Sequence, residues 1–190
     1  MSIVDRRERE RLTGQRGLTV WFTGLSGSGK TTIAMAVERA LYERGKLVRR
    51  LDGDVLRGGI NRDLGFSPED RAENIRRVGE IARLFADTGT VCLCSFISPY
   101  EVGREAVRAL HHQAGIPFIE VFVDCPLSVA ETRDPKGLYR KARAGQIQHF
   151  TGIDAPYETP RSPQLHLRTD IESLDDEVSR VVTAVRDAER

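Results

Sequence analysis

Eight consecutive residues, Gly24-Leu25-Ser26-Gly27-Ser28-Gly29-Lys30-Thr31, constrain the fold of this chain more than any others. They follow a compact β-branched and aromatic run, Leu18-Thr19-Val20-Trp21-Phe22-Thr23, and precede a long helical stretch ending near Gly45. Strand, glycine-rich turn and helix in that order are the setting in which a G-x-x-x-x-G-K-T pattern holds nucleotide phosphates. The glycines let backbone N–H groups turn inward, the helix directs its positive end at the anion, and Lys30 reaches the β and γ phosphates. Thr31 offers its hydroxyl to Mg²⁺. A glycine-rich turn with a chance lysine would match the spacing without the flanking strand and helix. ATP or GTP binding follows, but the reaction does not, because such a cradle serves kinases, motors and switches alike.

The remaining chain alternates between the two periodicities. Leu47–Leu51 reads as a second strand that stops at the acidic turn Asp52-Gly53-Asp54. Ser67, followed by Pro68 and by Asp70 three residues on, predicts a helix start; Ile75, Val78, Ile81, Ala82 and Phe85 repeat at helical spacing until Gly89. Thr90–Cys94 is a third strand and Pro117–Asp124 contains a fourth, with a helix between them that Gly115 ends. Neither strand alternates with polar residues, so both faces are expected to be buried. Leu165–Thr169 gives a short fifth strand, and Ser173 begins a last amphipathic helix through Leu174, Val178, Val181, Val182 and Val185. Alternation of this kind predicts an α/β fold: a mainly parallel five-stranded sheet between layers of helices, with ligands at the carboxyl ends of the strands.

At 190 residues the chain is the size of one domain, and its formal net charge of +1 gives no overall case for nucleic acid or an acidic membrane surface as partner. Cys92, Cys94 and Cys125 all fall in apolar strand-like runs and read as core packing. No apolar run approaches a membrane span, and the start of the chain lacks the apolar core of a secretion signal, so a cytoplasmic location is expected. Residues 1–16 mix both charges with few apolar side chains and predict a flexible arm, with the folded domain over 17–190.

Candidate chemistry clusters after the strands. The third strand ends Cys94-Ser95 without a carboxylate, which leaves Asp52 and Asp54 to orient a metal's waters or take a proton from an attacking hydroxyl. Asp-Gly is also a routine turn dipeptide. Arg57, Arg62, Arg71, Arg76 and Arg77 surround Phe66 and suit an anionic acceptor, although arginines on a helix face are often simply solvated. From Arg133 to Phe150, five basic residues face the single acid Asp134, which reads as a basic lid (about 133–152) or as an exposed basic helix. Phe66 and Phe150 are placed to stack on a purine or to anchor their loops to the core.

Taken together, the segments GLTVWFTGLSGSGKTT, LDGDVLRGGINRDLGFSPEDRAENIRR, LFADTGTVCLCSFISPY, FVDCPL, RDPKGLYRKARAG and FTGIDAPYE closely resemble the adenylyl-sulfate kinases, from about Gly17 to the final helix. The resemblance implies the three-layer fold of P-loop nucleoside triphosphate hydrolases. It also implies transfer of the γ-phosphoryl group of MgATP to the 3′-hydroxyl of adenylyl sulfate. By position it assigns Gly24, Leu25, Ser26, Gly27, Ser28, Gly29, Lys30, Thr31 and Thr32 to ATP, with Arg133 beside them. Adenylyl sulfate is placed against Asp54, Arg57, Phe66, Arg71, Asn74, Ile97, Ser98 and Lys136, with Phe150 completing an adenine sandwich with Phe66. Thr31 and Asp52 would hold Mg²⁺, partly through water, and Asp54 or Asp52 would accept the proton. Ser98 stands where the family is associated with a phosphoserine intermediate; in-line transfer needs none, so Ser98 is expected to contact substrate. The resemblance further implies a homodimer and functional association with a sulfate adenylyltransferase. One departure is His149, where relatives commonly carry glycine before the phenylalanine; a side chain there disfavours positive φ and predicts a different local turn. Another small-molecule or nucleotide kinase, and a regulatory nucleotide-binding module without transfer, are the alternatives to this activity.

Overall fold

The computed structural model describes residues 3–190. In chain order its elements are α1 (Arg6–Thr13), β1 (Leu18–Thr23), α2 (Lys30–Tyr42), β2 (Val48–Asp52), α3 (Gly53–Arg57), α4 (Pro68–Asp87) and β3 (Val91–Ser95). They continue with α5 (Glu101–Gln113), β4 (Phe118–Asp124), α6 (Leu127–Arg133), α7 (Leu138–Arg143), β5 (Leu165–Arg168) and α8 (Leu174–Ala188). The five strands form one sheet in the order β2-β3-β1-β4-β5, with every pairing parallel.

Successive side chains of β1 point to opposite faces, and both faces are covered. Leu18, Val20 and Phe22 pack with Ile33, Ala34 and Val37 of α2 and with Val181 and Val185 of α8. Trp21 points the other way, into a cluster with Cys92, Cys94, Val78, Ala82 and Val107. This double burial explains the unbroken apolar runs of β1 and β3. The three cysteines are free and buried, as packing residues. α4 and α5 approach closely because Gly79 has no side chain: a Cβ there would lie 2.7 Å from Val107 Cγ2.

Ser67 and Ser173 cap α4 and α8, each accepting from the N–H three residues on. The short helices α3, α6 and α7 carry too few residues for a periodicity to be visible. The charged start of the chain departs from the expected arm. Asp5 and Glu8 form a capping box, and α1 docks without burying an apolar residue. Its arginines supply the attachment: Arg6 donates to the carbonyls of Ala114 and Gly115 at the end of α5, and Arg9 pairs with Asp87 at the end of α4. Cations at helix C-termini satisfy orphan carbonyls and oppose the dipole, which a composition argument based on apolar burial overlooks. Met1 and Ser2 of the expected arm lie outside the described residues.

Behind α1, the buried Gln15 amide donates to Leu47 O at 2.9 Å and Gly89 O at 2.6 Å and accepts from Leu47 N–H at 2.7 Å. It thus joins the approaches to β2 and β3. Replacing it with alanine orphans these backbone groups at a cost of about 2–3 kcal/mol. Gln15→Ala is therefore expected to lower the melting temperature by about 4–10 °C, measured by thermal circular dichroism, with no change in nucleotide affinity.

Candidate active site

The glycine-rich turn leaves the carboxyl end of β1 at the centre of the sheet. Gly24 (φ 150°), Gly27 (φ 73°) and Gly29 (φ 104°) take the positive angles that turn the peptide N–H groups inward. α2 then begins at Lys30 with no side chain capping its first turn, so its free N–H groups are available to an anion. Lys30 is buried and donates to Leu25 O at 2.6 Å across the loop. Burial pushes its ammonium down to about 8, with the nearby Lys136 adding to the effect and Cys125 and Asp52 opposing it.

Asp52 closes β2, paired in register with Ser95 of β3, and so stands beside the cradle. Its carboxylate accepts from Thr31 Oγ1 at 3.0 Å, caps α3 through Asp54 N–H at 3.0 Å and lies 3.4 Å from Arg50. A hydroxyl and an adjacent carboxylate are hard oxygen donors that fit Mg²⁺, which draws its other ligands from water and substrate phosphates. Among the described residues no group of three or more His, Cys, Asp or Glu is placed to hold a metal by itself. Asp54 is exposed and pairs with Lys136 from the basic segment.

Lys30 and Asp54 line one cavity of about 1240 Å³. Every site residue predicted from sequence lines it except Gly24, Leu25 and Ser28, whose part in the loop is backbone. Its lining also includes Arg133, Thr169 and Leu174, and Asn74, Arg71, Phe66 and Phe150. The two rings of the lining differ. Phe150 is buried, edge-on to Tyr139 with centroids 5.0 Å apart. Phe66 is 62% exposed, with the Arg57 guanidinium 4.2 Å from its centroid.

Arg57 also donates to Leu64 O and Gly65 O, and Arg71 donates to Phe66 O, Thr151 Oγ1 and His149 O. Both arginines therefore brace the aromatic loops. Arg62, Arg76 and Arg77 of the predicted cluster do not line the cavity; Arg76 and Arg77 pair with Glu73, and Arg77 also with Asp63. The turn before Phe150 is not altered in the way the His149 side chain predicts. His149 adopts φ 56°, and Asp154 compensates by accepting its N–H at 2.7 Å and that of Phe150 at 2.5 Å. Such a conformation costs about 1–2 kcal/mol for a residue with a Cβ.

Ser98 is buried and also has positive φ, 39°. Its Oγ accepts from Trp21 Nε1 at 3.1 Å.

Three supporting residues escaped sequence reasoning. Thr169, just beyond β5, donates to Ser28 O at 2.9 Å and accepts from Arg133 at 2.8 Å. Tyr139 donates to Ser26 O at 2.9 Å, and Thr23 to Ile97 O at 2.8 Å. Thr23 and Thr169 lie at or just after strand carboxyl ends, where ligand sites concentrate in such sheets. That position was the available signal.

The buried lysine makes a pH prediction. Phosphates bound at the loop raise its pKa above about 8, so binding takes up a proton at higher pH. Affinity for MgATP is expected to be flat near pH 7 and about tenfold weaker at pH 9. Titration calorimetry in buffers of different ionisation heat checks this, and Lys30→Gln should abolish the slope.

The family model described as adenylylsulphate kinase matches residues 16–168. An adenylyl-sulfate kinase of Saccharomyces bayanus is 59% identical over 89% of this chain and 84% of its own length. One from Geotalea daltonii is 56% identical over 97% and 90%. The solved APS kinase of Mycobacterium tuberculosis in complex with AMPPNP and APS superposes with a TM-score of 0.88 at 54% identity, covering 90% of this chain and 99% of that one. With a phosphate loop, an acidic turn and a basic segment arranged around one cavity, and with these relatives across nearly its whole length, this chain belongs to the adenylyl-sulfate kinase family.

Proposed function

We propose that the protein transfers the γ-phosphoryl group of ATP to the 3′-hydroxyl of adenylyl sulfate, giving 3′-phosphoadenylyl sulfate and ADP. The observation that carries this reading is one cavity lined together by the phosphate loop, the acidic turn, the basic segment and the two rings Phe66 and Phe150. At about 1240 Å³ it exceeds the range of roughly 300–1,000 Å³ typical of a site for one small ligand. Phe150 and Phe66 offer a fixed ring and a presented ring, which suits a purine acceptor better than a polyol.

Within this arrangement the protein's own groups divide the work. The loop N–H groups and Lys30 bind the donor phosphates, Lys30 exchanging its bond to Leu25 O for phosphate oxygens. Thr31 and Asp52 would hold Mg²⁺, which supplies charge neutralisation at the β and γ phosphates. Asp52 is committed to Thr31, Arg50 and its backbone cap, so we assign proton acceptance to Asp54, which is open to the acceptor. Lys136 pairs with Asp54, and the acceptor's anionic groups would compete for that ammonium.

The basic segment 133–152 acts as a lid that excludes water, with Arg133 beside the donor. A cytoplasmic homodimer supplied with acceptor by a sulfate adenylyltransferase fits the family, and sedimentation equilibrium checks the dimer.

Asp54→Asn should lower kcat by about a hundredfold or more while MgATP affinity changes less than about threefold. A coupled assay comparing adenylyl sulfate with AMP, with NMR to locate the new phosphate, tests the reaction itself. Phosphate on the 3′-oxygen of adenylyl sulfate supports the reading, transfer only to AMP overturns it, and unchanged turnover in Asp54→Asn removes the assigned base.

A further inference from the structure

Outside the phosphate cradle, the most deeply buried Lys, Arg, Asp or Glu among the described residues is Arg104, 1% exposed, in the first turn of α5. Its Nε lies 2.9 Å from Glu120 Oε1 of β4, with the N–H not pointing squarely at that oxygen. Charge balance does not require Arg104 to be there, because Arg108 already donates to the other Glu120 oxygen at 2.6 Å. A buried ion pair is also weak evidence for stability, since well-packed apolar groups often replace one without loss.

The remaining arms of the guanidinium are more informative. Nη1 donates to Ser98 O at 2.8 Å, and Nη2 donates to Glu158 O at 2.8 Å. Ser98 lies in the cavity-lining stretch Ile97-Ser98-Pro99 and holds a positive φ. A serine keeps such a conformation only where its surroundings over-determine it, and sites of this kind cluster where function needs a fixed geometry. Here the surroundings are Arg104 on the carbonyl and the Trp21 indole on the hydroxyl.

Glu158 belongs to the segment by which the chain returns from the basic lid. That segment is tied to the same stretch by Glu158 N–H to Pro99 O at 2.8 Å and by Glu101 N–H to the Glu158 carboxylate at 2.6 Å. It is also tied to β1 by the contact of Tyr157 with Thr23 at 2.9 Å.

We propose that Arg104, seated on Glu120, is a positioning residue: it locks the Ser98 turn to the returning end of the lid and so sets where the acceptor lies relative to the phosphate loop. Arg104 itself touches no substrate. The proposal deepens the acceptor reading given above and rests on it for the identity of the acceptor, but not for the link between Arg104 and Ser98. Only a planar fork reaches a carboxylate and two carbonyls from one side chain. A lysine keeps the charge opposite Glu120 and loses that span.

The test compares Arg104→Lys with Arg108→Gln, which disturbs the same carboxylate but makes no contact with the acceptor stretch. Arg104→Lys should raise KM for adenylyl sulfate about tenfold or more and lower kcat, since an ångström of misplacement costs up to about a hundredfold. Its KM for ATP should stay within about twofold, because the cradle is untouched. Arg108→Gln should lose stability without this split.

A second readout needs no activity. Trp21 is the only tryptophan in the sequence, so its indole ¹⁵N–¹H signal is a single resonance reporting on Ser98 Oγ. It should shift in Arg104→Lys in the direction seen for Ser98→Ala, and stay in place in Arg108→Gln. Should Arg104→Lys not fold, Glu120→Gln loosens the same seat and moves both readouts the same way by a smaller factor. An unmoved indole signal in the folded Arg104 or Glu120 variant, or the same KM split in Arg108→Gln, overturns the proposal. If the wild type transfers nothing to adenylyl sulfate while the indole signal still shifts, the acceptor assignment fails and the Arg104 link stands.

Discussion

The close approach of Gly24 to β4 is the constraint on which the site depends. A Cβ at Gly24 would lie 2.2 Å from Val123 O and 2.9 Å from Ser28 Oγ, so no side chain fits at the first residue of the loop. Because β1 is hydrogen-bonded to β3 on one side and β4 on the other, the loop's starting point cannot shift to relieve a contact. The same pairing brings the ends of β2 and β3 alongside, Asp52 opposite Ser95, and so sets the acidic turn next to the cradle. Asp52 is thus carried on backbone that the sheet holds still, and Asp54 follows two residues on in α3, whose first turn Asp52 caps.

The side chains around the cavity fall into two electrostatic groups. Lys30 and Lys136 end on single acceptors, Leu25 O and the Asp54 carboxylate, that phosphate or sulfate oxygens can replace one for one. An ammonium is a point charge and changes partner at little geometric cost. Arg57 and Arg71 each reach two or more acceptors, mostly backbone carbonyls of the loops they brace, and Arg104, outside the cavity lining, does the same. Moving any of these guanidinium groups onto a ligand would orphan several carbonyls together. Lys30 and Lys136 therefore make single, exchangeable contacts, whereas Arg57, Arg71 and Arg104 are held by several at once.

Much of this was legible in the chain because it is local. The phosphate loop, the Ser67 and Ser173 caps and the five strands each declare themselves within a few residues, and the observed bounds differ by only a residue or so, β2 closing on Asp52 and β3 starting at Val91. The resemblance to known kinases added an assignment of acceptor residues, which composition and spacing left open. What remained hidden depends on contacts between distant segments. The docking of α1 rests on arginines reaching helix ends more than seventy residues away, and an apolar census does not count such bonds. The bracing role of Arg71 needs the His149 carbonyl from the far side of the lid. The buried Arg104 looks, in sequence, like any polar residue on an amphipathic helix.

His149 shows why local rules fail at this place. Its left-handed turn is disfavoured by its own side chain, yet the turn persists because Asp154 accepts two successive N–H groups and Arg71 takes the carbonyl. Those bonds also place Phe150 against Tyr139, whose hydroxyl reaches Ser26 O in the phosphate loop. Strain at one residue is thereby offset by a chain of contacts running from the Phe150 ring to the phosphate loop. Releasing it would free the ring as well as the turn. An unfavourable φ and a well-fixed Phe150 are therefore two sides of one arrangement, and the cost at His149 is borne by the bonds that hold Phe150.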